Sequence, residues 1–142
     1  MSVVVIGVFD GVHKGHQEVL NQAKKIAGDE KIIALTFDPH PTSVVAPERT
    51  PSQLISVKDR IELLKQAGAT HVEVVNFNKD FSQLSPDQFI EDVLLGRFKA
   101  EHVVIGENFN FGFKAQGSPK YLSEVGPKYG FGVSIVKLQE ER

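Results

Sequence analysis

The chain has no cysteine, no excess of either charge, and no apolar run long enough to cross a membrane. Without cysteine there is no disulfide, no thiolate zinc site and no sulfur nucleophile, a composition that suits a reducing cytoplasm. With 16 basic and 18 acidic residues the formal charge is −2. No nucleic-acid footprint is expected from that balance, and an anionic ligand must be met by local groups and backbone dipoles. The N-terminal Met1-Ser2-Val3-Val4-Val5-Ile6 lacks a basic region and a cleavage pattern, so it reads as a buried strand and not as a signal peptide. Neither repeat nor low-complexity tract divides the 142 residues, of which 41% are hydrophobic and 24% charged. One globular domain is expected, with no membrane partner.

Strand and helix signals alternate along the chain. Val3 to Val8 is a β-branched run, followed by helical spacing from Gly15 to Ala27. Val19, Leu20, Ala23, Ile26 and Ala27 form one apolar stripe, and Gly28 stops it. Lys31 to Phe37 is a second strand. Asp38 to Ser52 carries Pro39, Pro41, Pro47 and Pro51, which favour an extended loop. Ser56 and Asp59 mark a weak helix start, with Ile61, Leu64 and Ala67 as its stripe and Gly68 at its end.

His71 to Val75 reads as a third strand. Ser85-Pro86-Asp87-Gln88 is a stronger helix start, whose core face is Phe89, Ile90, Val93 and Leu94. Glu101 to Ile105 is a fourth strand, and a loop rich in Gly, Phe and Asn runs from Gly106 to Gly117. Ser118-Pro119 opens a helix through Leu122 and Val125, before a last strand from Phe131 to Leu138. The pattern predicts a doubly wound, mainly parallel five-stranded α/β sheet with helices on both faces. In such sheets ligands bind beyond the carboxyl ends of the strands, where strand order reverses. The unusual residues of this chain follow strands one, two and four.

The sharpest of these segments is Gly7-Val8-Phe9-Asp10-Gly11-Val12-His13-Lys14-Gly15-His16, at a strand-to-helix turn. A helix N-terminus offers unpaired N–H groups and the positive end of a dipole, which suits phosphate. Gly15 removes the Cβ that would hold a phosphate oxygen off the backbone. His13 and His16 can donate hydrogen bonds to oxygens that gain charge as phosphorus is attacked. The same two imidazoles are also compatible with solvated loop residues. A metal site is the weaker alternative, since helical metal pairs usually sit at i,i+4 and no cysteine completes a set.

The motif G-x-F-D-G-x-H-x-G-H resembles the signature of the H-x-G-H nucleotidylyltransferase superfamily. Its F-D-G form resembles the FMN adenylyltransferase module of prokaryotic bifunctional riboflavin kinase/FAD synthetases. Thr36-Phe37-Asp38-Pro39-His40-Pro41 and Val104-Ile105-Gly106-Glu107-Asn108-Phe109-Asn110-Phe111-Gly112 resemble two further segments of that family. The resemblance runs from about Val3 to the C-terminus, and three motifs in the right order make chance agreement improbable.

It implies a Rossmann-like fold and transfer of AMP from ATP to FMN, giving FAD and pyrophosphate, with Mg²⁺ accompanying ATP. His13 and His16 would bind the ATP phosphates and stabilise the transition state, and Asn108 would hold the α-phosphate region. Gly7, Phe9, Asp10, Gly15 and Gly106 would line the nucleotide. Pro39, His40, Pro41 and Phe111 would border FMN. Phe109 and Phe111 alternate with polar residues, so one ring should face inward and the other the cleft; Phe111 is the expected cleft residue. His71, His102, Lys24-Lys25 and Lys79-Asp80 read as structural or solvated.

Two departures from the family pattern stand out. Ala115 occupies a place where many relatives carry arginine, with Lys114 as the nearest substitute charge. The chain also stops at Gln139-Glu140-Glu141-Arg142, before an I-S-S-T-R-I-R-like segment and a riboflavin kinase module. The expectation is therefore one adenylyltransferase domain over residues 1–142, without kinase activity and with transfer weakened more than binding. A different phosphorylated acceptor, or a nucleotide- or flavin-binding module that does not turn over, are the alternatives.

Overall fold

Val3-Val4-Val5-Ile6 is β-branched throughout, which restricts χ1 and favours extended backbone. In the computed structural model it forms β1 (Ser2–Ile6), buried along its whole length at the centre of the sheet. The structure describes residues 2–7, 9, 14–38, 56–107, 109 and 117–137, and of 14–16 the backbone alone. After β1 come α1 (Lys14–Ala27), β2 (Lys31–Asp38), α2 (Val57–Ala67), β3 (His71–Asn76) and the short α3 (Lys79–Ser82). Then follow α4 (Pro86–Phe89), continued by a π-helical stretch (Ile90–Leu95), β4 (Ala100–Gly106), α5 (Pro119–Tyr129) and β5 (Gly132–Val136). The five strands pair in the order β3-β2-β1-β4-β5, and every described pairing is parallel. This is the expected doubly wound α/β architecture.

Both faces of the sheet are covered. Val19, Leu20, Ala23 and Ala27 of α1 and Leu64 of α2 pack on Val3, Val5, Ile32, Ala34 and Val104. On the opposite face Phe89, Ile90, Val93, Leu94 and Leu122 pack on Val4, Ile6, Leu35, Phe37, Val103 and Ile105. Alternate residues of β1 therefore serve opposite cores, which is why its sequence is an unbroken apolar run. Each fully buried Leu or Ile contributes about 1.5–3 kcal/mol.

The helix ends follow local chemistry. Ser56 Oγ accepts from Asp59 N–H at 3.1 Å, and Gly68 ends α2 at φ 130°, a conformation that favours glycine. At α4, Ser85 Oγ accepts from Gln88 N–H (3.1 Å) while Gln88 Oε1 accepts from Ser85 N–H (3.0 Å), a complete capping box. Ser118 caps α5 through Tyr121 N–H at 3.0 Å.

The structure departs from the sequence reading in a few places. Strands start or stop a residue or two away from the expected ends; Val8 and Leu138 lie outside the described residues. Lys79 and Asp80 are exposed, as expected, yet they open α3, which Asn78 Oδ1 caps by accepting from Phe81 N–H at 2.7 Å. Past α4 the ladder widens: Gly96 N–H donates to Glu91 O at 2.9 Å and Phe98 N–H to Val93 O at 3.1 Å. Apolar periodicity carries no signal for that widening. On α2, Ile61 and Ala67 are half-buried, and the fully buried neighbour of Leu64 is Arg60.

Candidate functional site

From β1 the chain winds first to β2 and β3 on one side, then crosses to β4 and β5 on the other. The reversal of strand order falls beside β1, so the carboxyl end of β1 is the expected ligand edge. Ile6 registers with Leu35 on one side and Ile105 on the other, and Gly7 N–H extends the ladder to Leu35 O at 3.1 Å. The carboxyl ends of three strands therefore rise together.

Just past this edge stands Phe9, with φ 56°. A bulky side chain in that region carries strain of order 1–2 kcal/mol. Burial offsets it: Phe9 is 2% exposed and packs in the core beside Val19 and Leu20. The ring occupies the space beside Gly7, where an added Cβ would lie 2.8 Å from Phe9 Cζ. Gly7 and Phe9 thus lock the chain's exit from β1, and Phe9 has a packing role that sequence reasoning did not assign.

The helix α1 begins at Lys14, with Gly15 and His16 in its first turn, and that turn carries no acidic residue. The positive dipole end of α1 is not neutralised by a carboxylate of the same turn, an arrangement suited to an anion. Lys24 and Lys25 complement the other end of the dipole. His13 and Asp10 lie outside the described residues, as does the side chain of His16.

On the β4 side, Gly106 is buried at the strand's end, and Glu107 N–H bonds Val136 O at 3.0 Å. Phe109 N–H turns back to Gly106 O at 3.1 Å. Its ring stacks on Phe37 of β2, with centroids 6.0 Å apart and planes 8° apart. Phe109 is partly buried against the core; Phe111 and Asn108 lie outside the described residues. Phe37 further meets Phe77 edge-on at 5.9 Å and Phe81 at 6.1 Å, and Phe81 continues to Phe89. Phenylalanine rings thus join the carboxyl ends of β2 and β3 to the turn after β4. Such contacts add about 0.5–1.5 kcal/mol per pair beyond burial.

At the end of β2, Arg60 Nη1 donates to Thr36 Oγ1 (3.1 Å) and to Phe37 O (2.8 Å) from a position that is 1% exposed. Sequence reasoning passed over this residue. The available signal was its place four residues before Leu64 and seven before Ala67, on the apolar stripe of α2. Pro39, His40 and Pro41 lie outside the described residues.

The other histidines serve elsewhere. His71 is exposed, with Nδ1 3.1 Å from Thr70 Oγ1. Nε2 of His102 lies 2.8 Å from Ser134 Oγ and ties β4 to β5; burial pulls its pKa below the ordinary value. Tyr121 donates to Asp87 Oδ1 at 2.5 Å, linking α5 to α4, and that hydrogen bond is the main cause of a phenol pKa pushed up to about 12. Among the described residues no three His, Asp or Glu side chains converge to hold a metal, and no helix is long and apolar enough to cross a membrane.

Comparison with known proteins gives consistent matches. A family model described as FAD synthetase matches residues 1–142. A bifunctional riboflavin kinase/FMN adenylyltransferase of Bacillus subtilis (strain 168) is 38% identical over 126 residues, 87% of this chain and 40% of the relative. The protein of that description from Listeria monocytogenes is 38% identical over 141 residues, covering 97% and 44%. That from Escherichia coli K12 is 30% identical over 135 residues, covering 93% and 43%. The chain thus spans less than half the length of each of these relatives. Among solved structures, one described as a macrolide-efflux protein from Streptococcus pneumoniae superposes with TM-score 0.83 at 27% identity, over 99% of this chain and 46% of that one. A lipopolysaccharide core biosynthesis protein from Thermoplasma volcanium shares the fold, with TM-score 0.58 at 17% identity, over 100% of this chain and 98% of that one.

Proposed function

Since the chain belongs to the FAD synthetase family, we propose that it joins AMP from ATP to the phosphate of FMN. An oxygen of the FMN phosphate attacks the α-phosphorus of ATP, the bond from that phosphorus to the bridging oxygen breaks, and pyrophosphate leaves as FAD forms. The attacking oxygen is already anionic, so no side chain has to remove a proton from it. Catalysis then rests on positioning and on stabilising the charge that develops.

The observation that carries this reading is the start of α1. His13-Lys14-Gly15-His16 runs into a helix N-terminus without an acidic residue, just after the carboxyl end of the central strand. His13 and His16 are proposed to donate to the phosphate oxygens in the transition state, with Asn108 on the α-phosphate. Gly7, Phe9, Asp10, Gly15 and Gly106 are proposed to border the nucleotide, Phe9 through the turn it holds. Pro39, His40, Pro41 and Phe111 are assigned to FMN. Mg²⁺ would arrive on ATP and offset phosphate charge.

The test is an assay with FMN, ATP and Mg²⁺, following FAD and pyrophosphate together. Wild-type chain should form both. His13→Ala and His16→Ala should each lower the rate by about 10²–10³-fold, the usual loss for one transition-state donor, with an unchanged melting temperature. No product from the wild type, or a double mutant working at full rate, would overturn the reading.

A further inference from the structure

Arg60 is poorly explained by stability alone. It is 1% exposed, whereas arginine is almost never fully buried unless paired. Among the described residues its guanidinium meets two neutral acceptors through Nη1, and Nε has no partner. A buried donor left unmade costs about 1–3 kcal/mol. The residue also stands fourth in α2, near the helix end whose dipole disfavours a cation. An apolar residue of similar length would meet none of these penalties, and departures from local rules concentrate at functional sites.

Its grip shows what it is placed to do. Thr36 Oγ1 and Phe37 O are the last points of β2 before Asp38, and Pro39-His40-Pro41 follows directly in the chain. Two prolines within three residues narrow the conformations open to that run, and Asp38 before it is held in the ladder by Phe77 N–H at 3.1 Å. The ring of Phe37 also stacks on Phe109 of the turn after β4. One residue is thus held at its carbonyl by Arg60 and at its ring by the turn after β4.

We propose that Arg60 is a positioning residue for the flavin half of the site: by holding the end of β2, the strand that the Pro39-His40-Pro41 run follows in sequence, it governs affinity for FMN and not for ATP. The inference rests on the FMN adenylyltransferase reading above.

The test compares wild type with Arg60→Met, which keeps the apolar stem, and Arg60→Lys, which keeps the charge. Leu122→Ala, buried on the opposite face, serves as a stability control. FMN binding is read by quenching of flavin fluorescence, ATP binding by calorimetry, and turnover by separate KM values for FMN and ATP. Arg60→Met should weaken FMN binding and raise KM for FMN at least tenfold, leaving both ATP values within twofold. Arg60→Lys should recover part of the loss, and Leu122→Ala should lower the melting temperature without splitting the two KM values. Equal changes for FMN and ATP, or a lower melting temperature with neither changed, would make Arg60 structural only and sink the proposal. If Arg60→Met does not fold, the same split is required of Arg60→Lys, and its absence counts equally against the idea. A wild type that binds both ligands but forms no FAD would overturn the transfer reading, leaving the binding split to decide the role of Arg60. A wild type that binds no FMN would overturn both.

Discussion

The two faces of the sheet are built on different terms. Against α4 and α5 the core is Phe, Leu and Ile, and the polar groups there sit at helix ends, in the Ser85–Gln88 box or the Tyr121–Asp87 bond. Against α1 and α2 the core is small and aliphatic, yet it contains Phe9 at positive φ and the buried cation Arg60. Both anomalies stand at the carboxyl end of a strand next to the order reversal, Phe9 after β1 and Arg60 at the end of β2. The face against α4 and α5 is the more regular: its departures, the π-helical stretch Ile90–Leu95 and Lys99 at φ 51°, lie in the chain leading into the amino end of β4. The other face departs from local rules at the carboxyl edge, where ligands bind in folds of this kind.

Mutations can break that contrast or sharpen it. The largest loss of stability is expected on the regular face. Leu122→Ala leaves a cavity in the α4/α5 core and should cost about 2–5 kcal/mol by denaturant unfolding, while folded protein keeps the wild-type ratio of KM values. A changed ratio would show that the two faces are not separable.

Gly7→Ala should cost less but reach function. The new methyl would press on the Phe9 ring at 2.8 Å, at about 1–3 kcal/mol, and the displaced turn should slow FAD formation more than it lowers the melting temperature. Full turnover with the expected destabilisation would confine Phe9 to packing.

The smallest effect concerns His102, at the β4–β5 edge. Burial lowers its native pKa below 6.5, so between those two values the unfolded chain binds a proton that the native one resists. Stability from this group is complete above 6.5 and falls as pH drops through that window. Melting temperatures from about pH 7.5 to about pH 5 should decline less in His102→Gln than in wild type. Identical slopes would assign the decline to other groups.

Much of the fold was legible because it rests on short-range rules. Val19, Leu20, Ala23 and Ala27 face the core as their spacing requires, and Ser56, Ser85 and Ser118 cap the helices they precede. The candidate site was legible as motifs, and α1 does start within the first of them. Arg60 was missed because a long charged side chain at a helix start is ordinarily solvated. The Phe37–Phe109 stack was missed because it joins residues 72 positions apart in sequence.

The sequence by itself determined the alternation of strands and helices, the caps, and the H-x-G-H run within which α1 begins. These depend on side-chain period and on backbone groups within a few residues of one another. Only the tertiary structure decided that β1 is central, that Phe9 is held at positive φ by the core beneath α1, and that Arg60 reaches the end of β2. Those features depend on which distant segments share space, and strand order and desolvation exist only once the sheet has formed.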